Sequence, residues 1–195
     1  MIIGRDKINF QNSVNNTDKF RGHYNLIGHN YWSLYKNFVK NDIVILEIGT
    51  AYGGFAKFIK DNFTCKIVGA ELQPINCGQR HVSDLTNNNS KYDEMFIGNA
   101  FSSEFLKWNS DKNYKYDLII EDADHSYETQ IWGLNHCEQL LQSNGVYIVE
   151  DVQTYEDAKK LMINMPPHLK KYSYIWDGIL SVNRYDDLCV VVDLR

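Results

Sequence analysis

Five short apolar runs recur along the chain, and each leads into a turn or a segment of helical spacing. They are IVILEI (43–48), KIVGAEL (66–72), EMFIGNA (94–100), YDLIIED (116–122) and VYIVED (146–151). Near-continuous apolar runs of this length read as strands buried on both faces, the pattern of a parallel sheet covered by helices. The segments between them predict a helix over 55–63, a short one opened by Pro74, and another near 102–108. A long amphipathic helix is expected over 126–142, stopped by Asn144-Gly145, and a further one over 155–165, closed by Pro166-Pro167. Two more strand-like runs, KYSYIW (171–176) and LCVVVDL (188–194), follow one another with a turn-rich segment between them. The expectation is an α/β chain with a Rossmann-like, doubly wound, mostly parallel seven-stranded sheet and a C-terminal antiparallel hairpin.

Upstream of the first strand, residues 1–28 are polar and aperiodic, a cover segment. Residues 30–39 have helical spacing, with Tyr31, Leu34, Tyr35 and Phe38 on one face. With no internal repeat and no linker, the 195 residues read as one domain with a sizeable core.

Composition narrows the function. The net charge is −5 and no basic stripe is visible, so nucleic acid is not an expected partner. Thirteen Tyr, nine Phe and four Trp exclude a disordered chain. No apolar stretch approaches the ~20 residues of a membrane span. The opening MIIGRDKINF lacks the apolar region of a signal peptide, so a cytoplasmic location is expected. Cys65, Cys77, Cys137 and Cys189 are scattered without CxxC spacing and read as free thiols in a reducing compartment.

Chemistry enters where the fourth and fifth runs stop abruptly in acid. Asp122 ends one; Glu150 and Asp151 end the other. If these are neighbouring parallel strands, about 5 Å apart, the three carboxylates converge at the carboxyl edge of the sheet, where open α/β sheets bind ligands. Hard oxygen donors in one place predict Mg²⁺, Mn²⁺ or Ca²⁺ rather than zinc, with Mg²⁺ the first expectation and Mn²⁺ the second. The plainer alternative is a solvated loop edge. Glu121 points to the opposite side of its strand and is left out. His125, three residues past Asp122, is placed to act as a base beside such an ion, or merely to start a helix. Asp124 reads as a cap for the helix that begins near Ser126.

A second constellation follows the first strand. Glu47-x-Gly49-x-x-x-Gly53-Gly54 opens a helix, so that backbone can approach a ligand and the free N–H groups of the helix start can face it. Thr50 and Tyr52 lie within the loop. Glu71 ends the next strand, placed to accept both hydroxyls of a ribose, as in a dinucleotide fold. The spacing is not GxGxxG, which leaves a nicotinamide cofactor, another adenosine-bearing cofactor and a plain strand–turn–helix all open. Asn99, Ala100 and Phe101 end the third strand, where an adenine would be met; a simple turn asparagine is the alternative.

These segments together resemble a known family. LEIGTAYGGF, GAELQP, IIEDADH and VYIVEDVQT are similar to class I S-adenosylmethionine (SAM) dependent methyltransferases, and among them to the metal-dependent sugar O-methyltransferases of the macrolide (mycinamicin) type. Those carry an acid, a histidine three residues later and a Glu-Asp pair after the next strand, matched here by Asp122, His125, Glu150 and Asp151. Thr17-Asp18-Lys19 and His29-Asn30-Tyr31 are similar to upstream segments of the same family, and the resemblance runs from about residue 17 to the end.

It implies SAM as cofactor, held by Glu47, Gly49, Thr50, Tyr52, Gly53, Gly54, Glu71, Asn99, Ala100 and Phe101. Lys19 and Tyr31 would serve its carboxylate end or close the pocket. It further implies a divalent cation on Asp122, Glu150 and Asp151, with His125 as catalytic base and a small-molecule or glycan acceptor. Catechol and caffeoyl-CoA O-methyltransferases place a similar metal site on the same strands, commonly with lysine where this chain has His125. The oligomeric state is left open.

Overall fold

The computed structural model describes residues 31–50, 53–72, 92–178 and 188–195. Seven strands form one sheet: β1 (Val44–Ile48), β2 (Lys66–Glu71), β3 (Glu94–Ile97), β4 (Tyr116–Glu121), β5 (Leu141–Val152), β6 (Ser173–Asp177) and β7 (Leu188–Asp193). Their order is β3-β2-β1-β4-β5-β7-β6. The first five are parallel; β7 is antiparallel to β5, and β6 to β7. The strand order reverses between β1 and β4, and the crevice outside the carboxyl ends at such a reversal is where ligands bind.

Alternation of side chains assigns each strand residue to a face. Ile45, Leu118, Ile120, Val146 and Ile148 pack on one side, against α1 (Trp32–Tyr35) and α2 (Gly54–Asn62). Leu46, Ile119, Tyr147 and Val149 pack on the other. There they meet α3 (Ser103–Asp111), α4 (Tyr127–His136), α5 (Tyr155–Asn164) and α6 (Pro167–Lys170). Helix α2 shows why these residues form this element. Phe55, Phe58 and Ile59 recur at helical spacing and are fully buried, each contributing about 1.5–3 kcal/mol of apolar burial. Ser102, Ser126 and Thr154 cap α3, α4 and α5, each accepting a hydrogen bond from the backbone N–H three residues on.

Two expected boundaries differ. The helix expected over 126–142 is α4 followed by a 3-10 turn, Cys137–Leu140, and β5 already begins at Leu141. Leu141 pairs with Tyr116 while Val146 pairs with Leu118, so residues 142–145 bulge out of the ladder and Asn144-Gly145 lies inside a strand. Tertiary pairing here overrides the local stop signal. The helix expected over 30–39 is a single α turn continued by turns to Phe38; Asn37 Nδ2 bonds the carbonyls of Ser33 and Leu34 and ends it. Its predicted inward face is nonetheless buried: Tyr31, Leu34, Tyr35 and Phe38. Beyond Pro166, Pro167 opens α6 as its first residue.

Cys65, Cys137 and Cys189 are buried; burial pushes the Cys65 thiol up to about 11. Cys77, the helix at Pro74 and the segment between β6 and β7 lie outside the described residues.

Candidate active site

Three side chains converge at the carboxyl edge of β4 and β5. His125 Nε2 lies 3.0 Å from Asp122 Oδ1 and 3.6 Å from Asp151 Oδ2. One ligand atom from each of the three lies within 4.8 Å of the others. Asp122 N donates to Ile48 O at 2.8 Å, carrying the β1–β4 pairing one step past the strand end and placing the carboxylate on the crevice.

Asp151 is delivered by a bulge. Val149 pairs with Val190 and Val152 with Leu188, so Glu150 and Asp151 together face Cys189. Val149 and Val152 both pack on the α4–α5 side although three residues apart, which a regular strand forbids. The extra residue resets the phase and re-aims the acids. Asp151 pays with a left-handed backbone, φ 51°, and His125 has φ 59°. Such conformations cost on the order of 1 kcal/mol each in residues with a Cβ, and two of the four such non-glycine residues among the described ones sit in this cluster, Asp42 and Asn113 lying elsewhere.

The bulge backbone is satisfied from the side. Buried Gln130 of α4 donates to Glu150 O at 3.1 Å, and Gln153 donates to Asp151 O at 3.2 Å. Glu150 is buried at the bulge, and its carboxylate is not part of the converging trio.

Glu121 points to the other face, as alternation requires, and accepts from Tyr147 OH at 2.9 Å. Burial pushes its carboxyl up to about 8. Asp124 binds Ser126 N at 3.0 Å and the Thr129 hydroxyl, so it organises the start of α4. Burial works against its charge, but these hydrogen bonds prevail and hold it below the ordinary value.

The glycine loop opens onto the same edge. Thr50, buried, donates from N to Glu71 Oε2 at 2.9 Å and from its hydroxyl at 3.2 Å, while Leu72 N donates to Oε1. The carboxylate expected to meet a ribose therefore also holds the loop. Gly53, φ 66°, is the N-cap of α2, and Gly54 is its first residue. Glu47 is buried near the end of β1 and accepts from Tyr92 OH at 2.5 Å. Asn99 is exposed and its Oδ1 accepts from Phe101 N at 2.8 Å, a turn asparagine in geometry; Ala100 is buried and Phe101 half-buried against Trp132. Lys19 and Tyr52 lie outside the described residues, as do Thr17-Asp18-Lys19 and His29-Asn30.

No family model and no curated protein sequence matches this chain. Solved structures do. The methyltransferase MycE from the mycinamycin biosynthetic pathway, in complex with Mg, S-adenosylhomocysteine (SAH) and mycinamycin VI, superposes with a TM-score of 0.57 at 15% identity. The match covers 84% of this chain and 48% of that one, so the chain spans about half the length of MycE. An O-methyltransferase from Bacillus cereus in complex with SAH gives 0.57 at 17% identity, over 77% of this chain and 73% of the other. Fibrillarin from Aeropyrum pernix, with natively bound SAM, gives 0.56 at 20%, over 79% and 67%. The fold is that of the class I methyltransferases.

Within this fold one residue stands out that its local sequence did not assign to the acids. Tyr31, at the start of α1, donates its hydroxyl to Asp151 Oδ1 across 120 positions. Burial, reinforced by Cys189, Glu150 and Asp151, raises the phenol far above its ordinary value and keeps it a neutral donor. No spacing rule links positions so far apart. The carboxyl edge thus holds an acid–imidazole cluster beside a glycine loop with an acid on the next strand. No helix among the described residues is long and apolar enough to cross a membrane.

Proposed function

We propose that this chain transfers a methyl group from SAM to a sugar hydroxyl, on a glycan, a nucleotide sugar or a glycosylated natural product, with the help of a divalent cation, Mg²⁺ first and Mn²⁺ second. The observation that carries the reading is the juxtaposition of Asp122, His125 and Asp151 with the Gly49–Gly54 loop and Glu71 at one sheet edge. The donor chemistry fits a hard cation: two carboxylates held this close repel each other unless a positive charge lies between them. MycE, which matches the fold, carries Mg and SAH in its complex.

Bound at the loop, SAM supplies an electrophilic methyl on a sulfonium. A cation held by Asp122 and Asp151 would supply a Lewis acid that eases ionisation of a hydroxyl; Glu150, buried at the bulge, lies outside the converging trio. The remaining work belongs to side chains. Glu71 would accept the ribose hydroxyls, and Asn99, Ala100 and Phe101 would flank the adenine. Gly49, Thr50, Gly53 and Gly54 would shape the wall for the amino-acid end; Lys19 and Tyr52 are assigned to it by the sequence resemblance alone. Nε2 is the nitrogen that His125 turns to both carboxylates, so it is the atom that meets an acceptor hydroxyl seated there and takes its proton as the oxygen attacks. Holding nucleophile and methyl in line removes the entropic part of the barrier.

The test is calorimetry with SAH followed by a mass-spectrometric screen of sugar and catechol acceptors with SAM. The expected results are 1:1 SAH binding and addition of one methyl to a sugar diol. His125→Ala should keep SAH affinity and lower kcat by roughly 10²–10⁴-fold. Tight NADH binding without SAH binding would overturn the reading, and methylation confined to catechols would move the enzyme to the catechol branch.

A further inference from the structure

We infer that Tyr31 is a positioning residue for the cation site: its hydroxyl occupies Asp151 Oδ1, so that Asp151 turns Oδ2 to the trio and meets a cation through that oxygen. The inference rests on the reading of Asp151 as a metal ligand.

The geometry divides the carboxylate. Oδ1 receives the Tyr31 hydroxyl, and Oδ2 is the oxygen 3.6 Å from His125 Nε2. A carboxylate on a left-handed residue of a bulge is free to rotate about its own bonds unless something outside the strand fixes it. Tyr31 is suited to do so because it is itself fixed. Its ring is 3% exposed, stacked 6.0 Å from Tyr35 and packed 5.5 Å from Trp176 of β6. The hydroxyl therefore enters the site from the start of α1, with its ring held by Trp176 of β6, and neither element contributes to the trio. It is a neutral donor to a charged acceptor in a buried setting, the stronger class of hydrogen bond. A partner that orients a ligand in this way is worth 10–100-fold in metal affinity.

Tyr35 supplies the internal control. It lies one helical turn further on, is fully buried, and its hydroxyl has no hydrogen-bond partner among the described residues. Removing that hydroxyl perturbs the same helix without touching Asp151.

The experiment is Mn²⁺ titration followed by electron paramagnetic resonance on wild type, Tyr31→Phe and Tyr35→Phe, with a thermal melt on each. Tyr31→Phe should weaken Mn²⁺ binding, measured without SAH, roughly 10–100-fold. Tyr35→Phe should leave Mn²⁺ affinity unchanged. A merely structural role would lower the melting temperature of both variants and leave the Mn²⁺ constant of the folded protein alone. Wild-type affinity in Tyr31→Phe overturns the inference. Should that variant not fold, the same result in Trp176→Leu, which unpins the ring and keeps the hydroxyl, overturns it equally. A wild-type protein that binds no Mn²⁺ removes the metal reading itself, which separates the two failures.

Discussion

At Gly49 the chain has no choice of residue. Its φ is +82°, and an added Cβ would collide with the backbone carbonyl of Asp122 and lie 2.8 Å from Ala123 Cα. The first glycine of the loop is thus demanded by the close approach of β1 and β4, before any ligand is considered. Glu121 is constrained as strictly from the other side. Its carboxyl lies under α4 at Gly133, where an added Cβ would meet Glu121 Oε2 and lie 2.5 Å from Tyr147 OH, so that one of these side chains would have to shift. With its folded pKa raised to about 8 by burial, Glu121 binds a proton in the folded state that the unfolded chain releases near pH 4.5. Stability from this group is full below that lower value and is lost as pH rises through about 8. At ~1.4 kcal/mol per pH unit the loss amounts to several kcal/mol. Glu121→Gln should therefore flatten the decline of urea stability between pH 5 and pH 9. An unchanged slope would show that the carboxyl is already ionised in the folded protein.

At the scale of elements, the bulge in β5 decides the site. A regular strand would send Glu150 and Asp151 to opposite faces; the phase reset at Val149–Val152 brings them together against Cys189. Helix α4 supports that irregularity through Gln130, whose amide satisfies the carbonyl of Glu150. Gln130→Ala leaves a buried carbonyl without this donor and should cost about 1–3 kcal/mol, read as a lower urea midpoint with the m-value unchanged. A midpoint within experimental error of wild type would mean that the bulge holds itself. The same helix carries Asp124 and Ser126 at its start, so α4 couples the loop bearing His125 to the strand bearing Asp151.

For the whole molecule, the two constellations lie on different strands, and the proposed function assigns them different ligands: SAM to the side built on β1, β2 and β3, a cation to the acids of β4 and β5. EDTA should therefore abolish turnover, Mg²⁺ should restore it, and SAH should bind in both conditions. Glu71→Ala should do the reverse, weakening SAH by about 10-fold or more, as expected for a charged hydrogen-bond acceptor, while leaving Mn²⁺ affinity intact. Loss of SAH binding in EDTA, or of Mn²⁺ binding in Glu71→Ala, would show that the two halves are not separable.

Local pattern determined the fold class. Apolar runs of strand length, helical periodicity and cap residues act over a few positions, so the seven strands and the helices that follow β1, β3, β4 and β5 could be read directly, and alternation alone set Glu121 apart from Asp122. Asp122, Glu150 and Asp151 were legible as acids at strand ends because termination of an apolar run is itself local. What only the tertiary structure decided was the geometry among them. The bulge opposite Cys189 depends on β7, paired from the far end of the chain. The strand within the expected helix stop depends on Leu141 finding Tyr116, and the hydroxyl on Asp151 comes from Tyr31. Hydrogen bonds between distant positions leave no period in the sequence, because their partners are set by how elements pack rather than by how residues are spaced.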